Sequence, residues 1–264
     1  MNLEVLVATM GQRELTLDEK MNIRCDAIIA NQCNEWKYDE KMTDFGRVRM
    51  LSSATVGVGK NRNLAMAMSE AEIVLFADDD IIYYDGMPES VKKAFDELPD
   101  ADMIFFGLDM TRGGAVFEKR REPIKRRRLW NALKYGAGRM AVRRSSLEKY
   151  GIGFSELFGG GCLYGSGEDS LLIRECLRHG MKAYSYAYVL GTCAKDNSSW
   201  FEGFNEKFFF DKGAWIACAF PKSKHIIKFY FACRFAKKAG VSVKKVMRQI
   251  NRGMSAFSSL EGYN

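Results

Sequence analysis

Glu72-Ile-Val-Leu-Phe-Ala77 is an apolar run that ends in three consecutive carboxylates, Asp78-Asp79-Asp80. A short run of this kind, bounded by polar residues, predicts a strand buried on both faces. Comparable runs at residues 3–9, 26–31 and 102–107 alternate with stretches that favour helices, one of which begins at a possible capping box, Thr16-Leu-Asp-Glu19. A loop is expected after residue 31, through Trp36 and Phe45. Strands that alternate with helices at this spacing predict an α/β fold, with a mostly parallel central sheet flanked by helices.

The three aspartates would lie at the carboxyl end of their strand, which is where open α/β sheets bind ligands. Adjacent negative charges repel each other, so either one carboxyl group takes up a proton or a cation binds among them. Oxygen ligands suit Mg²⁺ or Mn²⁺, which commonly share phosphate oxygens as ligands. Acidic turns also follow strands without binding metal, so the triplet alone leaves both interpretations open.

A second acidic pair, Glu168-Asp169, follows Gly165-Ser-Gly167 and begins a stretch with helical periodicity. The simpler interpretation is that acids in a first helical turn complement the helix dipole. The functional interpretation is a general base, because an acceptor hydroxyl is a poor nucleophile until its proton is taken up.

These two acidic elements, preceded by Gly59-Lys-Asn-Arg-Asn63, follow one another in a recognisable order and spacing. The combination resembles family 2 glycosyltransferases of the GT-A fold, over roughly residues 3 to 200. The resemblance implies an enzyme that moves a hexosyl or N-acetylhexosaminyl group from a nucleoside-diphosphate sugar, expected to be a UDP-sugar. One carboxylate base with in-line attack predicts inversion, since no second nucleophilic carboxylate is evident. It further implies a saccharide or lipid-linked saccharide acceptor, and a role in bacterial surface polysaccharide or glycoconjugate synthesis.

The same resemblance assigns roles to individual residues. Asp169 is the expected base, with Glu168 as the alternative. Asp80 and Asp78 are the expected ligands of Mn²⁺ or Mg²⁺. The residues expected around the nucleotide sugar are Thr9, Asn31, Lys60, Arg62, Asn63, Asp78 and Asp79.

The sequence departs from the family pattern in two places. Many relatives carry an acidic residue after the second strand, where this chain has Asn31-Gln32. Many also use a downstream histidine as a metal ligand, but no histidine lies between His179 and His225. Asp196 is the expected substitute.

Three residues are expected on the acceptor side of the site: Trp130, Trp200 and Arg139. A tryptophan ring can stack on a sugar, although burial in the core is the more common arrangement for this residue.

Basic residues are concentrated in two parts of a chain whose net charge is +7. Lys119 to Arg128 contains seven of them around Glu122, and Lys212 to Arg252 contains eleven and no acidic residue. Such segments are typical of surfaces that meet phosphate, nucleic acid or anionic membranes. The alternatives are a solvated loop and a solvated helix face.

The last helix predicted by the sequence has an apolar stripe and a basic face. Val243, Val246, Met247, Ile250 and Met254 recur at helical spacing. Just upstream, the basic residues Lys228 and Arg234 are interleaved with the apolar residues Ile226, Ile227, Phe229, Tyr230, Phe231 and Phe235. A basic amphipathic helix can lie in a membrane interface. The stripe can equally pack against the rest of the protein, and the sequence does not choose between the two.

Length and composition favour one catalytic domain, residues 1–210, with a nucleotide-sugar half at about 1–110 and an acceptor half at about 111–210. A basic helical extension, residues 211–264, would follow it. Seven cysteines without a C-x-x-C pair predict reduced thiols rather than disulfides or a zinc site. The N-terminus does not resemble a signal peptide. We therefore expect a cytoplasmic protein, in peripheral contact with the inner face of an anionic membrane if the tail docks there, and a homo-oligomer is a further alternative.

Two other functions compete with glycosyl transfer. A nucleotidyltransferase of α/β fold would need a glycine-rich phosphate loop after the first strand, but Ala8-Thr-Met-Gly11 has one glycine. A basic nucleic-acid-binding protein would need a recognisable binding module, or aromatic residues interleaved with its basic patches. The sequence offers neither, so no nucleic-acid partner is expected.

Overall fold

The computed structural model describes residues 1–194 and 203–261, without the side chains of residues 119, 120 and 261. The described residues form two compact units. The first comprises residues 1–156 and 168–194, and the second comprises residues 157–167 and 203–261.

The first unit is built on one sheet, in which eleven strands are described. Their order is β3-β4-β2-β1-β5-β10-β7-β11-β6, with β8 paired to β7 and β9 paired to β11. The strands are β1 (Leu3–Met10), β2 (Asp26–Gln32), β3 (Lys37–Thr43), β4 (Gly46–Ser53), β5 (Ile73–Asp78), β6 (Ile81–Tyr83), β7 (Met103–Arg112), β8 (Ala115–Arg120), β9 (Lys125–Arg127), β10 (Met140–Arg143) and β11 (Ala183–Ala194).

The centre of the sheet is parallel. β1 lies between β2 and β5, and β4 extends the same parallel set beyond β2. β10 runs antiparallel between β5 and β7, while β7 and β11 are again parallel. Because the parallel strands share one direction, the carboxyl ends of β1, β2 and β5 meet at the same edge. The predicted fold class, a mostly parallel sheet flanked by helices, is confirmed.

Helices and a single 3₁₀ turn accompany the strands of the first unit. They are α1 (Leu17–Lys20), α2 (Val58–Met68), α3 (Met87–Glu97), α4 (Leu129–Ala132), α5 (Arg144–Tyr150), α6 (Glu168–Arg178) and the 3₁₀ turn Ala137–Arg139. The strand side chains alternate between two apolar clusters: Val5 and Val7 belong to one, and Leu6 and Phe76 belong to the other. Each face of the sheet is therefore covered, as a parallel sheet requires.

Three local predictions differ from the structure. The stretch through Trp36 and Phe45, expected as a loop, contains β3, which forms a hairpin with β4. Thr16 makes no side-chain capping bond to the short helix α1. Within the basic stretch 119–128, Lys125–Arg127 pairs with β11, and the Arg127 side chain is buried against Ser185 and Glu122. That stretch is therefore not simply a solvated loop.

The second unit consists of three long helices and the loop 157–167: α7 (Glu206–Ala219), α8 (Lys224–Ala239) and α9 (Val243–Glu261). α7 begins before residue 211, where the helical extension was expected to start. None of the helices in the described ranges combines the length and the apolar character needed to cross a bilayer.

Three of the five residues in the apolar stripe of α9 are buried inside the second unit, while Val243 is exposed and Met247 is half-buried. Val246, Ile250 and Met254 are almost completely inaccessible to solvent, and α9 packs along α7. Gly213 on α7 and Gly253 on α9 permit this approach, because a Cβ at either position would collide with the backbone of the other helix. The sequence left two interpretations of this stripe open, and its buried residues favour packing within the protein over contact with a membrane.

Candidate active site

The carboxylates of the Asp triplet lie at the carboxyl edge of the parallel strands. Asp78 ends β5, where it is level with Ala8 of the neighbouring β1. Asp79 and Asp80 follow in the turn that leads to β6, and both are exposed. The expected position of the triplet is therefore the one it occupies.

Arg62 connects this edge to the second acidic pair. Its guanidinium side chain is only 4% exposed. One nitrogen, Nη2, lies 2.7 Å from Asp78 Oδ1, and the other, Nη1, lies 2.7 Å from Asp169 Oδ1 and 3.2 Å from Glu168 Oε1. Burial alone would lower the pKa of Arg62, but the charges of Asp169, Asp78 and Glu168 outweigh it and raise the pKa above its ordinary value. Arg62 is therefore a stable buried cation.

The glycine-containing start of α2 positions Arg62. Gly59 lies so close to the carbonyl of Ser155 that any Cβ would collide with it. Asn63 exchanges two hydrogen bonds with the backbone of Phe154: its Nδ2 donates to the carbonyl oxygen at 2.9 Å, and its Oδ1 accepts from the N–H at 2.7 Å. The Phe154 ring lies beneath the Arg62 guanidinium, 5.1 Å from its carbon. The Gly59–Asn63 motif therefore fixes the arginine against a second loop of the same unit.

Asp169 is oriented by two donors. Besides Arg62 on Oδ1, the backbone N–H of Ala137 donates to Oδ2 at 3.0 Å. Burial raises the pKa of Asp169 to about 7; the Arg62 charge opposes the shift, and the charges of Glu168 and Asp78 add to it. A carboxyl group with its pKa near neutrality, in the first turn of α6, is suited to accepting a proton from an acceptor hydroxyl.

Asp80 is the other carboxyl group whose ionisation is disfavoured. The pKa of Asp80 is raised to about 6 by partial loss of hydration and by the charges of Asp78 and Asp79. A hydrogen bond from Cys193 opposes this shift. The Cys193 Sγ lies 3.4 Å from Asp80 Oδ2. A cation placed beside Asp80 would relieve this repulsion, because it favours the ionised carboxylate.

The donor set fits a cation shared with a ligand better than one enclosed by protein. Among the described residues, no three His, Cys, Asp or Glu side chains converge tightly enough to hold a metal ion by themselves. Asp78 already shares Oδ1 with Arg62, and Asp79 accepts a hydrogen bond from the Thr9 hydroxyl. Mg²⁺ and Mn²⁺ at nucleotide sites typically take one or two carboxylates and complete their coordination with phosphate oxygens and water.

Thr9 and Asn31, both expected beside the nucleotide, instead form hydrogen bonds within the protein. Thr9 is buried, and its hydroxyl donates to Asp79 and accepts from Gln12 Nε2 at 3.0 Å. Asn31 is fully buried. Its Oδ1 accepts from the backbone N–H of Gln12 at 3.0 Å, and its Nδ2 donates to the Gln12 carbonyl at 2.8 Å and to Ser52 Oγ at 2.9 Å. Both residues shape the turn after β1, and Asn31 presents no surface to a ligand.

The Gly59–Asn63 motif is likewise only partly available. Lys60 is exposed, with its amine 4.0 Å from Glu156, and remains a candidate for a phosphate contact. Arg62 and Asn63 are occupied by the internal contacts described above. The internal contacts of Arg62 and Asn63 disagree with the expectation that they face the nucleotide directly, whereas the same expectation for Lys60 stays a prediction.

Of the two described residues expected on the acceptor side, one is exposed and the other is buried. Trp130 is 77% exposed, so the alternative of a core tryptophan is wrong and its ring is available for stacking. Arg139 is buried: its Nε donates to the Phe106 carbonyl at 2.7 Å, and its guanidinium lies over the Tyr135 ring. Arg139 thus holds the fold rather than a ligand. Asp196 and Trp200 lie outside the described residues.

Sequence reasoning missed the turn that precedes β10. Ala137 supplies the N–H that orients Asp169, and Gly138 passes close to Asp78 and Ile81, where a Cβ would collide with the isoleucine. Gly136 lies beside Asp169 Oδ2. The two glycines separated by one residue, Gly136-Ala-Gly138, were the signal that the backbone approaches other groups closely at this point.

A family model covers the donor-side elements of the candidate site. The model of "Glycosyl transferase family 2" matches residues 24–151, which include α2 with Arg62, the Asp triplet and the Gly136–Gly138 turn. Over this stretch, which is just under half of the chain, the protein is similar to glycosyl transferase family 2. The acidic pair on α6 lies beyond the matched range, and Arg62 joins it to the family region.

Solved structures of S. aureus TarS, residues 1–349, share the fold. The complex with UDP-GlcNAc has a TM-score of 0.63 and 17% identity, covering 90% of this chain and 73% of that one. The complex with UDP has a TM-score of 0.60 and 17% identity, over 90% and 72%. A further crystal structure of TarS 1–349 has a TM-score of 0.63 and 12% identity, over 97% of this chain and 92% of that one. No curated protein sequence matches the chain.

Proposed function

We propose that this protein is an inverting, metal-dependent glycosyltransferase that transfers a sugar from a UDP-sugar to an acceptor hydroxyl. The observation that carries the proposal is the Arg62 bridge, which places the Asp78 carboxylate and the Asp169 carboxylate on one guanidinium group. A transferase needs a donor-side acidic edge and a base within reach of the same reacting centre. The family 2 match supports the class of reaction, and the UDP-GlcNAc and UDP held by the TarS structures support the class of donor.

Asp80, with the free oxygen of Asp78, would hold Mn²⁺ or Mg²⁺ beside the diphosphate. A bound divalent cation supplies charge stabilisation to the departing diphosphate. Lys60, exposed at the start of α2, would add a positive charge near the phosphates. Asp79 orients Thr9 and the turn after β1, and so shapes the donor side indirectly.

Asp169 would accept the proton of the attacking hydroxyl. Arg62 and the Ala137 N–H hold its two oxygens, so the carboxylate is fixed before substrate binds. Glu168 shares Arg62 and helps to keep that arginine in place. Direct attack of the activated hydroxyl on the anomeric carbon, opposite the departing diphosphate, inverts its configuration.

Acceptor and biological role are proposed more broadly. The exposed Trp130 ring suits a saccharide acceptor, either free or lipid-linked, because aromatic rings offer an apolar face for sugar C–H groups. Hexosyl and N-acetylhexosaminyl donors both fit the proposal. We assign the enzyme to polysaccharide or glycoconjugate synthesis on the cytoplasmic side of a bacterial membrane, where nucleotide sugars are made.

Thermal unfolding in the presence of ligands tests the proposed function. UDP with Mn²⁺ should raise the unfolding temperature of the full chain, because a ligand that binds only the folded state stabilises it. Neither UDP alone nor Mn²⁺ alone should do so to the same extent. Stabilisation by a single-stranded oligonucleotide but not by UDP with Mn²⁺ would instead favour the nucleic-acid-binding alternative.

The pH dependence of turnover follows from the raised pKa of Asp169. The base is active when ionised, so kcat/KM should rise with pH through a midpoint of about 7 and level off above it. A carboxylate with an ordinary pKa would keep its activity down to about pH 4. Initial rates from pH 5 to 9 at saturating Mn²⁺ measure the profile, and a flat profile across that range would contradict Asp169 as the base.

A further inference from the structure

Helix α8 carries an apolar stripe on its solvent side. Ile226 is 74% exposed, Phe229 is 59% exposed and Tyr230 is 53% exposed. Cys233, also exposed, continues the series. Phe229 and Tyr230 are each three or four residues from Ile226 and from Cys233, so the four lie on one side of the helix, and we call them the outer face of α8.

The opposite side of the same helix already has its packing partners. Phe231 and Phe235 stack with ring centroids 5.4 Å apart, Phe231 lies 5.9 Å from Trp215, and Phe235 lies 6.0 Å from Phe208. Ala232 and Ala236 are buried. The core of the second unit is therefore completed by the inner side of α8, and burial within that unit does not explain the outer apolar stripe.

Cations border the outer face. Arg234 lies beside it and bonds the Tyr230 hydroxyl, while Lys237 falls one turn beyond Cys233 in line with the stripe. Lys222, just before the helix, is exposed at the other end. No acidic residue occurs between Lys212 and Arg252. The two acids nearest in sequence, Glu206 and Asp211, are each paired with a lysine of the same unit.

We propose that the outer face of α8 docks on an anionic lipid bilayer. Aromatic and aliphatic side chains would enter the boundary between headgroups and acyl chains, and the bordering lysines and arginine would meet the anionic headgroups. Charge complementarity selects this partner over a second copy of the chain. In a two-fold contact between copies the same cations would face each other, with no acidic residue of residues 212–252 to neutralise them.

The docking surface lies on one of the two apolar stretches for which the sequence suggested membrane contact. Most of the stripe on α9 is buried against α7, whereas the outer face of α8 exposes its apolar residues. The inference also stands independently of sugar transfer, because none of the residues of the outer face belongs to the candidate active site.

Co-sedimentation with lipid vesicles tests the proposal on the full chain. The wild-type protein should sediment with phosphatidylcholine vesicles that contain phosphatidylglycerol, and should remain in the supernatant with phosphatidylcholine alone. Binding should weaken as salt is added, because salt screens the headgroup charge. Binding to neutral vesicles as tight as to anionic ones, or no binding to either at low salt, would overturn the proposal.

Paired variants locate the contact. Ile226→Gln with Phe229→Gln should abolish sedimentation, and Lys222→Gln with Lys237→Gln should weaken it on the order of tenfold or more, given about 1 kcal/mol per cation at such a surface. The matched control, Trp36→Gln with Met42→Gln, removes two exposed apolar residues from the first unit and should bind like wild type. All three should retain the wild-type unfolding temperature.

Sedimentation velocity without lipid distinguishes the alternative occupant. If Ile226→Gln with Phe229→Gln converts an oligomer into a monomer but leaves vesicle binding unchanged, the face joins two copies of the chain and the proposal is wrong. Loss of vesicle binding in that variant, with Mn²⁺-dependent UDP binding retained, would support it.

Discussion

Asp169→Asn should lower turnover by roughly 10²–10⁴-fold, the range typical for loss of a general base, while leaving donor affinity near that of the wild type. The asparagine keeps the size of the side chain and an oxygen that can accept from Arg62, but it cannot take up the acceptor proton. Arg62 also keeps Asp78 and Glu168 as partners, so the donor side should stay in place. Initial rates and calorimetric titration with UDP and Mn²⁺ separate the two effects.

Glu168→Gln is the matched control for this variant. It removes one negative charge from the same helical turn and from the same arginine, yet its effect on turnover should be much smaller. The reverse ranking would transfer the role of base to Glu168. Substantial activity in both variants would discard a carboxylate base at the start of α6 altogether.

Asp80→Ala should remove the metal-dependent part of donor binding. We expect the gain in UDP affinity on adding Mn²⁺ to fall about tenfold or more, because the cation loses a carboxylate ligand beside the diphosphate. Asp80 is destabilised in its ionised form by its neighbours, which keep its pKa at about 6. The substitution should therefore not destabilise the fold, and calorimetry on a folded variant can be interpreted as a binding effect.

Asp44→Ala provides the control for charge. Asp44 is an exposed aspartate in the turn between β3 and β4, so its removal changes the net charge equally without touching the site. Unchanged UDP affinity with Mn²⁺ in Asp80→Ala, or an equal loss in Asp44→Ala, would remove Asp80 from the metal site.

The parallel core and the edge that carries the site were predictable, because both depend on local patterns. The apolar run Ile73–Ala77 is typical of a buried strand, and three aspartates at its end are then expected at the ligand-binding edge. The same holds for Glu168 and Asp169, whose position at the start of a helix follows from the apolar periodicity behind them.

The roles of the polar residues were harder to predict, because sequence does not reveal partners distant along the chain. Arg62 was expected to face the nucleotide but is buried among carboxylates up to 107 residues away. Asn31, at the end of β2, turns inward to Gln12 and Ser52. The two faces of α8 also could not be separated, because aromatic residues occur on both and only packing shows which of them are covered.

Release of UDP from UDP-sugars tests the central claim most directly. Wild-type protein incubated with a panel of UDP-sugars and Mn²⁺ should liberate UDP from at least one of them. The release should be slow when water accepts the sugar and faster when a saccharide acceptor is present. Asp80→Ala and Asp169→Asn should each suppress that release, the first together with Mn²⁺-dependent UDP binding and the second without affecting it. UDP release that persists in both variants, or a wild-type protein that neither binds UDP with Mn²⁺ nor releases it from any donor, would contradict the account.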